Sequence, residues 1–341
     1  MNRRSLSVAI AVTLLLSAAA VACNVPVFRF ALERWQADAS ELVVFFDSKL
    51  APDDEALISG LEESSVAKGG SSNLAVIRQD VHGEMTPENQ RLWESLQSAA
   101  GNTGGSGRSE SVTLPFAVAR AAKGKDKVVN HWRGSLAQLR DAGLLSSPVR
   151  DELVKRLQNG DAVVWLLIRS KDETLTAKAR DLLKQQCEIL PGELELPEGI
   201  GLPGSELYSE VPLLLQFSVL EVDPADVKEA YLVRQLTGFQ SEAAAAGQPL
   251  IVPVFGRGRA LEVIPGSELS AELIHDLTEF LCGACSCQVK EQNPGFDLLL
   301  TTNWNKALFG EDAELPPEPP KVGSGQKKTP ELVPIPSGRK R

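Results

Sequence analysis

The sequence is short of the residues that most catalytic chemistry uses. Three histidines, His82, His131 and His275, occur in 341 residues. None has a neighbour at the spacing of a catalytic triad or of a helical metal-ligand pair. Basic residues are outnumbered, 35 Lys and Arg against 45 Asp and Glu, for a net charge of −10. The basic runs are brief, Lys123, Lys125 and Lys127, then Arg339, Lys340 and Arg341, and no aromatic residues interleave with them. A surface of this kind cannot displace counterions from phosphate, which argues against a nucleic-acid partner. Cysteine is limited to five residues with no second Cys-x-x-Cys, so the zinc-ribbon pattern is missing. The glycine-rich stretch Gly256-Arg257-Gly258-Arg259 lacks the strand-then-helix setting of a phosphate loop and reads as a hairpin turn.

What the chain does have is length for two domains and a hydrophobic content of 43%, enough to bury real cores. Its first residues read as an export signal, 1–22: Arg3 and Arg4 as the charged start, Val8 to Leu16 as the apolar core, and Ala20-Val21-Ala22 as the small-residue cleavage site. Cys23 follows at once. A cysteine in that place resembles the lipobox of bacterial lipoproteins, although Ala20 stands where Leu is commoner. The resemblance implies a lipidated Cys23 that anchors the protein to a membrane at the cell envelope. Ordinary cleavage would instead leave a free thiol, and Leu6 to Ala22 is about long enough for an uncleaved anchor. Each alternative puts the bulk of the protein outside the cytoplasm, where disulfides persist.

Residues 23–40 form a lead-in, with apolar residues at helical spacing from Phe28 to Trp35, expected to pack on the first domain. Leu42 to Phe46 is a continuous apolar run of strand length, suited to burial on both faces. Pro52 and the acids after it open a helix. Leu74 to Ile77 is a second strand, Asn89 to Ala99 a helix, Leu114 to Ala119 a third strand and Val128 to Trp132 a fourth. Ser135 caps a helix, and Pro148 opens another that stops near Asn159-Gly160. The order then returns about 120 residues on, which points to duplication. It runs through the strand Ala162 to Ile168, the helix Thr176 to Cys187, the strand Leu213 to Val222, the helix Ala225 to Leu236, the hairpin Pro249 to Ile264 and the helix Ser270 to Cys282. The fold class expected is α/β, two mixed sheets flanked by helices, spanning 41–159 and 160–310. A proline-rich tail of low apolar content, 311–341, is expected to be a disordered tail or tether.

The stretch Pro249 to Leu281 resembles the C-terminal half of a thioredoxin. In that family a proline precedes a strand, and a tight hairpin, a second strand and an amphipathic helix follow. Pro115 to Leu139 is a looser copy. The resemblance implies two thioredoxin-like units in tandem, with cis peptide bonds before Pro115 and Pro249. It also implies a Cys-x-x-Cys after the early strand, at a helix N-terminus that lowers the thiol pKa. The residues at those positions are Asp47-Ser48-Lys49-Leu50 and Arg169-Ser170-Lys171-Asp172, so the usual site is absent from both units.

Thiols are concentrated elsewhere, in Cys282, Cys285 and Cys287. Their segment, CSCQVKEQNPG, is similar to one found in a family of bacterial envelope proteins to which no activity is attached. Lying at the end of a helix, the cluster meets the dipole end that raises a thiol pKa. Three uses compete: a structural disulfide among these cysteines or with Cys187 or Cys23, a redox pair, or a soft-metal site for Cu(I) or Zn(II). His275, two helical turns earlier, is the nearest candidate for a fourth zinc ligand, at about 10 Å by helical rise. Lys290 and Glu291 read as part of a solvated loop, with Asn-Pro-Gly as its turn. No cofactor motif and no assigned metal-ligand set emerge. The function expected is a lipid-anchored binding or scaffold module with an envelope protein partner. The alternative is a thiol-disulfide oxidoreductase or metal handler with Cys282, Cys285 and Cys287 as its catalytic residues.

Overall fold

Leu42, Val43, Val44 and Phe45 have no exposed surface at all. In the computed structural model they form the middle of β1 (Ser40–Phe46), the central strand of the first of two sheets. The structure describes residues 24–101, 112–123, 127–285, 289–311 and 316–317. Residues 1–22, read as an export signal, Cys23, Cys287 and nearly all of 311–341 lie outside them. The N-terminal lead-in is α1 (Val27–Arg34). The first unit continues after β1 with α2 (Pro52–Glu63), β2 (Leu74–Asp80), α3 (Pro87–Gly101), β3 (Phe116–Lys123), β4 (Lys127–Ser135) and α4 (Leu136–Asp141). α5 (Pro148–Gln158) leads to β5 (Val163–Ile168), α6 (Glu173–Glu193), β6 (Phe217–Val222), α7 (Ala230–Thr237) and α8 (Ser241–Ala245). The chain ends through β7 (Leu250–Phe255), β8 (Arg259–Ala260), β9 (Ile264–Pro265), α9 (Ala271–Cys282), β10 (Phe296–Asp297) and α10 (Trp304–Phe309).

The first sheet has the order β2-β1-β3-β4, and the second runs β10-β8-β7-β5-β6 with β9 also on β7. β1 is parallel to β2 and antiparallel to β3; β5 is parallel to β6 and antiparallel to β7. Each parallel step is crossed by a helix, α2 in one unit and α6 in the other, as a parallel pair requires. Alternate residues of the central strands feed separate cores. Leu42 and Val44 face one side of the first sheet and Val43 and Phe45 the other; Trp165 and Leu167 face one side of the second and Leu166 and Ile168 the other. The architecture is mixed α/β, with two mixed sheets flanked by helices.

Several boundaries differ from the sequence expectation. Helix α6 runs on to Glu193 with Pro191 in its last turn. The hairpin after β7 is split, because both β8 and β9 pair with β7 and are two residues long. The apolar run from Phe296 leaves the second sheet after Asp297 and crosses to the first unit. There Asn73 Nδ2 donates to Leu298 O and its amide N to Leu300 O, while Leu300 N donates to Asn73 Oδ1.

The lead-in does not pack on the first unit. Phe28, Phe30 and Trp35 join Leu183, Leu281 and Cys282 in a core of the second. Nor is α1 amphipathic, since Val27 to Glu33 are all buried. Its two buried charges neutralise each other: Arg29 Nε lies 2.9 Å from a Glu33 carboxylate oxygen, four residues on. Glu33 also accepts the amides of Tyr208 and Ser209, and Arg29 donates to Ser209 O. Arg257 closes the C-terminal end by donating to Leu32 O and Glu33 O at 2.7 and 2.9 Å. Gly256, at φ +58°, is needed here, because a β-carbon on it would come within 2.6 Å of Ala31 Cβ.

Candidate functional site

Helix α9 starts at Ser270, whose hydroxyl accepts the Leu273 amide, and buries Ile274, Leu277, Leu281 and Cys282 against α6 and α1. Beyond the helix the chain turns back along its own beginning. Val27 N donates to Gly283 O, Cys285 N donates to Val25 O, both at 3.0 Å, and Pro26 and Ala284 form an antiparallel bridge. The thiol segment is thereby sewn to the first described residues of the chain. Cys282 and Cys285 are each 1% exposed.

Burial pushes the Cys282 thiol up to about 12. The Cys187 thiol also rises to about 12, first through burial and then through the charges of Asp161 and Glu188. Attack on a disulfide needs the thiolate, so both are poor nucleophiles at neutral pH. Cys287, the third of the candidate catalytic cysteines, lies outside the described residues. His275 does not join the thiols. Its ring lies with Asp276 and Glu279, all three within 4.8 Å of one another on the outer face of α9, and no cysteine belongs to that group.

The loop after the thiols is solvated at Glu291, as expected, but Lys290 turns inward to a buried ionic joint. Lys290 is 8% exposed, and its ammonium reaches Asp297, Asp38 and the Gln36 carbonyl. Arg259 spans the other side, donating from Nη1 to Asp297 Oδ1 at 3.0 Å and from Nε and Nη2 to the carbonyls of Asn293, Pro294 and Gly295. Burial by itself would raise the Asp297 carboxyl, but the Lys290 and Arg259 charges outweigh it and hold the group below its ordinary range. Gly295, at φ +108°, lets the loop approach to where a β-carbon would sit 2.4 Å from Ala260 O.

The ends of the first strands carry hydroxyls and charges. Ser48, at φ +55°, is the one non-glycine residue with positive φ among those described. Its hydroxyl donates to Asp47 Oδ1 at 2.9 Å, and His82 Nε2 lies 3.3 Å from the same oxygen, with the His82 and Asp47 side chains 67% and 63% exposed. In the second unit Ser170 Oγ donates to Gly247 O, and Asp172 caps α6 by accepting the Thr174 amide. The Leu114–Pro115 peptide bond, leading into β3, is cis. The expectation of a second cis bond before Pro249 is corrected: that bond is trans. Pro249 is held from the other side, its carbonyl accepting the Gly266 amide at 2.8 Å.

Between the units lies a cleft of about 200 Å³ whose walls include Val66, Asn73, Arg257, Leu300, Trp304 and Asn305. It is a product of the crossing at Leu298 to Leu300, and no local pattern foretold it. The burial of Lys290 was likewise hidden, because a run of polar residues carries no periodicity. The Arg29 and Glu33 pair had a legible signal, opposite charges four apart among the apolar residues of Val27 to Leu32. The sequence matches no model of a known protein family and no curated protein.

Proposed function

We propose that the protein is an exported, lipid-anchored binding and scaffold module of the bacterial cell envelope, built from two thioredoxin-like units without their redox corner. The observation that carries this proposal is the repeated sheet, in which β2-β1-β3 and β6-β5-β7 share order and strand direction. That is the element order the thioredoxin resemblance implies, yet Asp47-Ser48-Lys49-Leu50 and Arg169-Ser170-Lys171-Asp172 stand where a reactive pair would. Burial of Cys282 at 1% exposure, with its thiol pushed up, supports a packing role for it. A partner protein at the envelope would meet the exposed strand-end loops and the cleft between the units.

Two readouts on native protein purified from the envelope test the proposal. The mature N-terminal peptide should carry the mass of a lipid on Cys23. Equilibration with a glutathione couple should leave Cys282 reduced throughout. An unmodified Cys23 removes the anchor, and reversible cycling of Cys282 makes the protein an oxidoreductase.

A further inference from the structure

Cys23 is bonded directly to a fixed point of the fold. The amide of Asn24 donates to Ser205 Oγ at 2.9 Å, and Val25 is fully buried. A lipid on Cys23 would therefore be joined to the fold through a single peptide bond to Asn24. The surface beside Asn24 must lie against the bilayer.

That surface is a loop of unusual composition for so acidic a chain. Gly199-Ile200-Gly201-Leu202-Pro203-Gly204 is uncharged, and Leu202 is 61% exposed. Asn24 Nδ2 and Leu202 Cδ1 both lie within 4 Å of where a Gly199 β-carbon would be, at 3.0 and 3.6 Å. The loop is a built turn, with Leu202 N donating to Gly199 O, Ser205 N to Leu202 O and Gly201 N to Ser205 O. Ser205 thus closes the loop through its backbone and holds the start of the chain through its hydroxyl.

We infer that this loop, tipped by Leu202 with the half-buried Ile200 beside it, dips into the interfacial layer of the membrane and sets the protein's orientation on it. The inference rests on the lipid-anchor proposal above. Apolar side chains presented at that depth exchange water for the headgroup and acyl boundary. Exposed Glu198 and Glu206 flank the loop, so an anionic surface should push it back while a zwitterionic one accepts it. The anchor supplies the affinity and the loop supplies the angle.

The experiment uses the full lipidated chain in vesicles of phosphatidylethanolamine and phosphatidylcholine, with peptide masses first establishing whether Cys23 is lipidated. Amide exchange across 199–204 should slow about tenfold on vesicles relative to detergent-free nanodiscs lacking the protein-facing leaflet charge match, namely anionic phosphatidylglycerol discs at low salt. Leu202→Trp should be quenched by shallow brominated lipids beyond the quenching of the native tryptophans. Leu202→Asp should abolish the protection while leaving the membrane-bound fraction unchanged. Cys23 lipidated with 199–204 unprotected on every surface overturns the loop's role and leaves the anchor standing; Cys23 without lipid overturns both. Protection that needs an added envelope protein makes the loop a protein contact instead, which also overturns it.

Discussion

Nε2 of His131 lies 3.0 Å from the phenol oxygen of Tyr231, and the two rings meet edge to face at 5.2 Å. The histidine belongs to β4 of the first unit and the tyrosine to α7 of the second, where Tyr231 is fully buried in the first unit's core. Ser40 Oγ stands 3.3 Å from the same phenol, and the Arg150 guanidinium lies 5.4 Å from the centre of its ring. The units are joined by a small polar network inside an apolar seam. Removing the hydroxyl leaves a buried imidazole nitrogen unpaired, which costs about 1–3 kcal/mol. Tyr231→Phe should lower the urea midpoint by that amount with the denaturant slope unchanged, because both units should still unfold together.

The same histidine makes stability depend on pH. Burial is the chief cause that pushes His131 down to about 4, against the weaker opposing effect of a hydrogen bond to Val129 O. In the unfolded chain it titrates near 6.5. Its folded-state value is depressed, so the unfolded chain takes up the proton first on acidification. Its contribution to stability is complete above about pH 6.5, falls by up to ~1.4 kcal/mol per pH unit below that, and levels off near 4. Urea titrations across this window, with His131→Gln as reference, should show a difference that is flat above pH 7 and shrinks steadily below it.

Arg29 and Glu33 offer a cleaner electrostatic test. The arginine is held below its ordinary value by burial, partly offset by Glu33. Glu33→Ala strands a cation inside the second core and should cost about 3–5 kcal/mol. Replacing both, Arg29→Met with Glu33→Leu, should recover most of that loss. Denaturation midpoints of the two variants check it, and equal destabilisation would show that the hydrogen bonds to residues 208 and 209 matter more than the charge balance.

At the polar joint, Lys290→Met leaves Asp297 with Arg259 as its main counter-charge. The carboxyl then rises, and the joint should loosen by about 3 kcal/mol. Faster amide exchange confined to 289–297 is the expected signature. An unchanged exchange pattern would mean that Arg259 alone suffices.

How much of this was legible follows from burial. β1, β5 and β7 are continuous apolar runs, and each proved to be a strand covered on both faces. The paired arrangement of the sheets could be read because the runs of β1 and β5 are each followed by a helical stretch, opened by Pro52 in the first and read from Thr176 in the second. The destination of α1 could not be read, since Phe28, Phe30 and Trp35 have no local preference for one sheet over another. The split after β7 was hidden for a similar reason: Leu261, Glu262 and Val263 alternate as a half-buried strand would, yet leave the ladder. At the candidate site, the absence of thiols after β1 and β5 was visible at once. That Cys282 faces a core, and that Lys290 and Arg259 pair with Asp297, depends on contacts between segments distant in the chain.

The account depends most on Cys282 being a packing residue, and its exposure can be measured against the stability of the whole protein. Labelling of Cys282 by a maleimide, followed by mass spectrometry across a series of sub-denaturing urea concentrations, gives the free energy of its opening. That energy should equal the free energy of global unfolding and fall with urea at the same slope. Labelling within seconds in native buffer, independent of urea, would contradict it.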